Sequence, residues 1–250
     1  VTDDRLPDDL DLTTAVETGT GAFGLDLGRR LAAEALGTGL LIVAVIGSGI
    51  MAQRLSSGDV GMQLLQNAFA TAGALVALIL MFGAVSGAHF NPVVTLIDRL
   101  LGSTTTRETG LYVVAQVVGA CLGAMLVNLM FELPAVNLST KDRSSPALWL
   151  SEIVATVTLL LVIQGCVRSG RAKVVPFAVA AWIAGAYWFT SSTSFANPAV
   201  TVARTLSDTF AGIAPSSAPM FIAMQLVGVF VAFGLVRFFY PHDHSESDDA

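Results

Sequence analysis

Apolar residues run in six long blocks along this 250-residue chain, at about 31–50, 66–86, 110–131, 147–167, 174–192 and 217–240. A hydrocarbon core of about 30 Å takes about 20 helical residues to cross, so each block predicts a membrane-spanning helix. Two further blocks, 91–101 and 197–207, are too short to cross. The gaps hold Gly, Ser, Thr, Pro and nearly all the charge, as in Arg54-Leu-Ser-Ser-Gly-Asp59 and Lys141-Asp-Arg-Ser-Ser-Pro146, and read as loops.

Each short block opens on Asn-Pro, as Asn91-Pro92-Val93 and Asn197-Pro198-Ala199. Asn caps the free N–H groups of a first helical turn, and Pro suits the first helical position, whose N–H has no intrahelical partner. The two blocks therefore predict half-helices that begin inside the bilayer. Where their N-termini meet, two positive dipole ends and two Asn amides would face one cavity, favouring polar uncharged or anionic groups and repelling cations.

The pattern also repeats. Glu34 and Thr38 match Glu152 and Thr156, Asn91 to Thr95 match Asn197 to Thr201, and Gln116 with Gly119 match Gln225 with Gly228, at offsets of 118, 106 and 109 residues. Each half has three spans, an odd number, so the second half inserts upside down. The fold class expected is an all-α membrane protein with six transmembrane helices and two re-entrant half-helices in a 3+3 inverted repeat. Its parts are an acidic tail over 1–30, expected to be disordered, a first repeat over 31–131, a connecting loop over 132–146, a second repeat over 147–240 and a second acidic tail over 241–250.

Composition agrees: 54% of residues are apolar and 13% charged. The net charge of −6 belongs to the tails, because residues 29–240 carry 12 basic and 8 acidic residues. No basic patch with interleaved aromatics points to nucleic acid. The first 28 residues show no short apolar core with a small-residue cleavage site, so the first span is expected to insert uncleaved. Arg29, Arg30, Arg99, Arg107, Arg168, Arg171, Lys173 and Arg237 fall on the side of the tails, against Arg54, Lys141, Arg143 and Arg204 opposite, which predicts cytoplasmic termini in a plasma (inner) membrane. Cys121 and Cys166 sit in apolar blocks and read as packing residues, and His242 and His244 as part of a solvated tail.

Ser86-Gly-Ala-His-Phe-Asn-Pro-Val93 paired with Ser194-Phe-Ala-Asn-Pro-Ala199, in this repeat, resembles the aquaporin and glycerol-facilitator family, the major intrinsic proteins, over about residues 30–240. The resemblance implies a six-helix bundle with one pore per subunit, a homotetramer, and passive flux with no cofactor and no bound metal. By position it implies that Asn91 and Asn197 donate to the solute at mid-membrane, that Glu34 and Glu152 accept hydrogen bonds from loop backbone, and that His89 orients its loop and lines the pore. Gly119 and Gly228 read as helix-contact glycines.

One position departs from the pattern. Most members carry an arginine directly after the second Asn-Pro-Ala, where this chain has Val200. The family's other filter positions fall on Thr71, Gly185 and Ser194 when counted from the motifs, giving a ring with no aromatic and no cation. Such a ring suits a wide pore for small neutral solutes: glycerol, urea, neutral metalloid hydroxides such as arsenous acid, and water. Bacterial members with a similarly arginine-free filter are associated with arsenic handling. Arg204, one turn beyond Val200, either folds back to supply the charge or, with its repeat counterpart Asp98 at the opposite mouth, serves as a surface charge of the vestibules or of an intersubunit salt bridge, the latter being the expectation. A mainly water-conducting pore is the alternative. An inverted-repeat secondary transporter would need an intramembrane ion site, and the spans offer only Glu34 and Glu152. No Ser or Cys is paired with a base in a recognisable motif, so the chain does not read as an enzyme.

Overall fold

A computed structural model describes residues 26–241. The expected tails, with His242 and His244, lie outside the described residues except where they meet the first and last helices. The helices are α1 Leu27–Leu55, α2 Val60–Ser86, α3 Pro92–Leu100, α4 Thr106–Met130, α5 Pro146–Arg168, α6 Val175–Phe189, α7 Pro198–Arg204 and α8 Ala218–Phe239, with a 3-10 turn at Ala172–Val174 leading into α6. Among the described residues six are long and apolar enough to cross a membrane, α6 being counted with the 3-10 turn that leads into it. The short α3 and α7 are the two half-helices.

Local chemistry sets the ends. Asp26 caps α1 through Arg29 N, Asp59 caps α2 through Met62 N, and Thr105 with Glu108 closes a capping box on α4. Helix α6 stops at Phe189, short of the apolar block that runs to 192. The Thr190 hydroxyl donates back to Ala186 O at 2.6 Å, and the backbone turns left-handed at Thr193 (φ 62°) and Ser194 (φ 51°).

Packing follows the repeat. α1 lies against α4 and α2, as α5 lies against α8 and α6; α4 holds α7, as α8 holds α3; α2 meets α6 and α3 meets α7 across the centre. Each of these helix–helix contacts has its counterpart in the other half, as a pseudo-two-fold arrangement of two inverted halves requires. The α1–α4 crossing is backbone on backbone: a Cβ on Gly119 would run into Ala35 O, and one on Gly123 into Gly39 O. At the α5–α8 crossing a Cβ on Gly228 would stand 2.8 Å from Thr156 Cβ. Small residues permit these approaches where lipid offers helices no hydrophobic drive to associate.

The outer surface is apolar, with Phe69, Leu122, Leu150 and Phe230 exposed, as a bundle immersed in lipid requires. The connection after α4 folds back over the end of α7: Asn137 N donates to Leu206 O, Ser139 N to Thr205 O and Ala214 N to Lys141 O. That connection places Lys141 and Arg143 beside the last residue of α7.

Candidate functional site

Each half-helix is preceded by a loop under the same strain. Ala88 (φ 50°) and Phe90 (φ 49°) stand three and one residues before Asn91, and Ser194 (φ 51°) and Ala196 (φ 46°) stand three and one before Asn197. A left-handed non-glycine residue costs about 1–3 kcal/mol and persists only where its surroundings over-determine it. The surroundings here are buried carboxylates. Glu34 accepts from His89 N (3.0 Å), Phe90 N (2.8 Å), the Ser86 hydroxyl and Gln116 Nε2. Glu152 accepts from Phe195 N (3.0 Å), Ala196 N (2.9 Å) and Gln225 Nε2. Gln116 and Gln225 each donate also to the half-helix threonine, Thr95 or Thr201, which bonds the carbonyl of its own Asn.

The two loops meet through the asparagines. Asn91 Oδ1 caps Val93 N, and Asn197 Oδ1 caps Ala199 N and Val200 N, with Pro92 and Pro198 at the first helical positions. Asn91 Nδ2 donates to Ala196 O (2.8 Å) while Asn197 Nδ2 donates to Phe90 O (2.9 Å), a reciprocal cross-link. An amide nitrogen has two N–H groups, so each Asn keeps one. Both line a cavity of about 620 Å³ running between the halves. Its walls are otherwise largely aliphatic, with α2 presenting Thr71, Leu75 and Ile79 at intervals of four.

Thr71, Ser194 and Val200 are buried in this lining, but Gly185 is not among the lining residues. Helix α6 turns Val179, Ile183 and Tyr187 to the cavity, again at intervals of four. Gly185 lies two residues from Tyr187, about 200° around the helix, and faces Phe189 instead. Counting back from Asn197 crosses the 190–196 loop, whose length sets the helix phase and cannot be read from the residues alone. Tyr187 therefore brings an aromatic ring where none is expected, and its hydroxyl exchanges a hydrogen bond with Thr71 Oγ1 at 3.3 Å.

Arg204 is a second departure from the expected ring. It is 3% exposed, so it is not the surface charge expected. Its guanidinium lies over the Phe195 ring, 3.4 Å from the centroid, and its Nε donates to Ala211 O. Arg143 approaches the same ring at 5.1 Å and donates to Gly212 O. Burial pushes the Arg143 guanidinium below its ordinary pKa, against the opposing charge of Glu152.

Asp98 occupies the matching place in the other half. His89 Nε2 lies 3.1 Å from Asp98 Oδ2, His89 Nδ1 lies 3.0 Å from Thr95 Oγ1, and Asp98 Oδ1 accepts from Gln164 Nε2. Both His89 and Asp98 line the cavity. Among the described residues no group of His, Cys, Asp and Glu is arranged to hold a metal ion.

The family model described as "Major intrinsic protein" matches residues 24–188. The chain is 50% identical over 212 residues to aquaglyceroporin AqpS of Rhizobium meliloti (strain 1021), covering 85% of this chain and 90% of the relative. It is 28% identical over 242 residues to the probable aquaporin AqpM of Archaeoglobus fulgidus, covering 86% and 98%. In fold it matches the X-ray structure of the aquaglyceroporin from Plasmodium falciparum, with TM-score 0.63 at 21% identity, over 86% of this chain and 96% of that one.

Proposed function

The chain belongs to the major intrinsic protein family and is an integral membrane protein that passes small solutes passively and is not an enzyme; from that premise we propose that its solutes are small, neutral and oxygen-bearing. Glycerol, urea, neutral metalloid hydroxides such as arsenous acid, and water fit this description.

One observation carries the reading. The reciprocal bonds of Asn91 and Asn197 to Ala196 O and Phe90 O lock two amides at one level of the cavity and leave each with an N–H. A solute oxygen can exchange its water for those donors, while the aliphatic wall opposite offers nothing to an ion, whose desolvation costs several kcal/mol. Thr71, Ser194 and Val200 then act on solute size, Glu34 and Glu152 hold the loops in shape, and His89 braces its loop through Thr95 and Asp98. Pro92, Val93, Pro198 and Ala199 serve the turn from loop to helix. The similarity to a relative named as an aquaglyceroporin supports the wider solute range. A mainly water-conducting pore is favoured by the bulk that Tyr187 and Arg204 bring to the lining. Four subunits, each with its own pore, in a plasma (inner) membrane with cytoplasmic tails complete the reading.

Stopped-flow swelling of liposomes bearing the protein, run with water, glycerol, urea and arsenous acid, tests it. Wild type should pass glycerol and arsenous acid well above empty liposomes, with no dependence on a proton or sodium gradient. Asn197→Leu removes the cap on two N–H groups and one arm of the cross-link, and should return flux to background in protein that still elutes as a single species. Flux of water alone would select the narrower reading. Unchanged flux in N197L would remove the asparagines from the pathway.

A further inference from the structure

Position 200 lacks a cation, yet a cation stands in the cavity wall. Arg204, the last residue of α7, borders both the main cavity and a smaller one lined by Lys141, Asp142 and Arg143, on the side carrying the 131–145 connection. A guanidinium has five N–H donors. Arg204 spends one, from Nε to Ala211 O, and among the described residues its two terminal nitrogens have no hydrogen bond and no carboxylate within ion-pair distance. Neither is sealed off in the protein, so their four donors are open to the space that Arg204 borders. The Phe195 ring at 3.4 Å fixes the plane of the group and supplies a favourable face for its charge.

The repeat points the same way: the residue seven places after each Asn turns back to the residue two places before it, as Asp98 to His89 in the first half and as Arg204 to Phe195 in the second. The inward fold of Arg204 is therefore built into the half-helix and its loop, and is not an accident of one side chain.

We propose that Arg204 forms an oxygen-binding station at the connecting-loop end of the pore, taking small neutral solutes with several hydroxyl oxygens, and that it is also the fixed charge that turns cations away there. Arg204 follows Val200 by one helical turn and both border the cavity, so that donors and an apolar wall act on a solute with an oxygen-bearing and a carbon-bearing side. The inference rests on the channel reading above and adds to it the residue that selects.

Swelling and proton flux in liposomes test the station. Arg204→Met keeps much of the length and the apolar contact with Phe195 but removes charge and donors. It should lower the glycerol-to-water and arsenous acid-to-water permeability ratios about fivefold and raise proton flux about tenfold. Arg204→Lys keeps the charge and loses the fork, so the ratios should fall while proton flux stays at the wild-type level. Arg54→Gln, a cation on the same side but outside both cavities, should change neither. Either quantity staying within twofold of wild type in folded R204M overturns the proposal. Where R204M does not fold, wild-type ratios in R204K overturn it instead. Wild-type protein that conducts no solute defeats the channel reading itself, and the station with it.

Discussion

Lys141 is a residue whose charge is set by burial and by neighbours both near and far in sequence. Its Nζ donates to Phe210 O at 2.8 Å and sits 5.2 Å from the centre of that ring. Burial, then the like charges of Arg143 and Arg204, push its ammonium down from 10.5 to about 8, with Asp208 resisting. In the unfolded chain the burial and the approach of Arg204 are lost, so between about pH 8 and 10.5 the unfolded state binds more protons than the folded one. Stability from this group therefore rises with pH across that window, and the charged ammonium is mildly destabilising below it. The same shift is visible without unfolding: acylation of Lys141, followed by mass spectrometry, should reach half its maximal rate near pH 8. Arg143→Gln should move that midpoint upward. A midpoint at the ordinary lysine value in the unaltered protein would mean that the three cations do not share one mouth.

The elements are held by crossings whose tolerance is nearly zero. At Gly119 an added methyl meets the backbone carbonyl of Ala35, which cannot rotate away as a side chain could. Gly119→Ala should therefore destabilise by about 1–3 kcal/mol through forced separation of α1 and α4. Gly234, in α8, has nothing within 4 Å of a built Cβ, so Gly234→Ala should be neutral or stabilising by about 0.5–1 kcal/mol through better helix propensity. Thermal unfolding in detergent, read by loss of the monodisperse peak, separates the two. Equal melting temperatures would show that the α1–α4 contact yields more easily than its backbone geometry implies. At this scale the chain was readable: the apolar blocks lie within a few residues of the helices, and Asn-Pro marks the starts of α3 and α7 directly. The end of α6 was not readable, because the apolar block continues through the point where Thr190 and the left-handed residues after it break the helix.

At the scale of the whole molecule, successive spans make the polar loops alternate between two sides, and the proposed cytoplasmic tails rest on the bias of basic residues. Ser103 and Ser144 are both exposed, in the loop after α3 and in the connection before α5. With Cys121 and Cys166 replaced by alanine, S144C should react with an impermeant maleimide added to intact cells, whereas S103C should react only after permeabilisation. The opposite pattern would reverse the orientation and put the Arg204 end of the pore in the cytoplasm. The paired contacts of the two halves would survive that reversal, since they depend on the repeat and not on the direction of insertion.

The amino-acid sequence by itself determined the six spans, the two half-helices and their inverted relation. Block length, cap chemistry and repeat order are local properties, written in residues close together along the chain. It also exposed Glu34 and Glu152, as carboxylates in apolar blocks, and the missing cation at Val200. Only the tertiary structure decided what those groups touch. Glu34 reaches Phe90 N across 56 residues and Asn91 reaches Ala196 O across 105, distances over which no pattern of spacing carries geometry. Helix phase decided that α6 turns Tyr187 to the cavity and Gly185 away, because the loop leading to Asn197 sets where a face of period 3.6 points. Arg204 was visible as a cation one turn beyond Val200. Its burial against Phe195 was not, because that depends on a left-handed loop, a bound carboxylate and a half-helix end brought to one place by the fold.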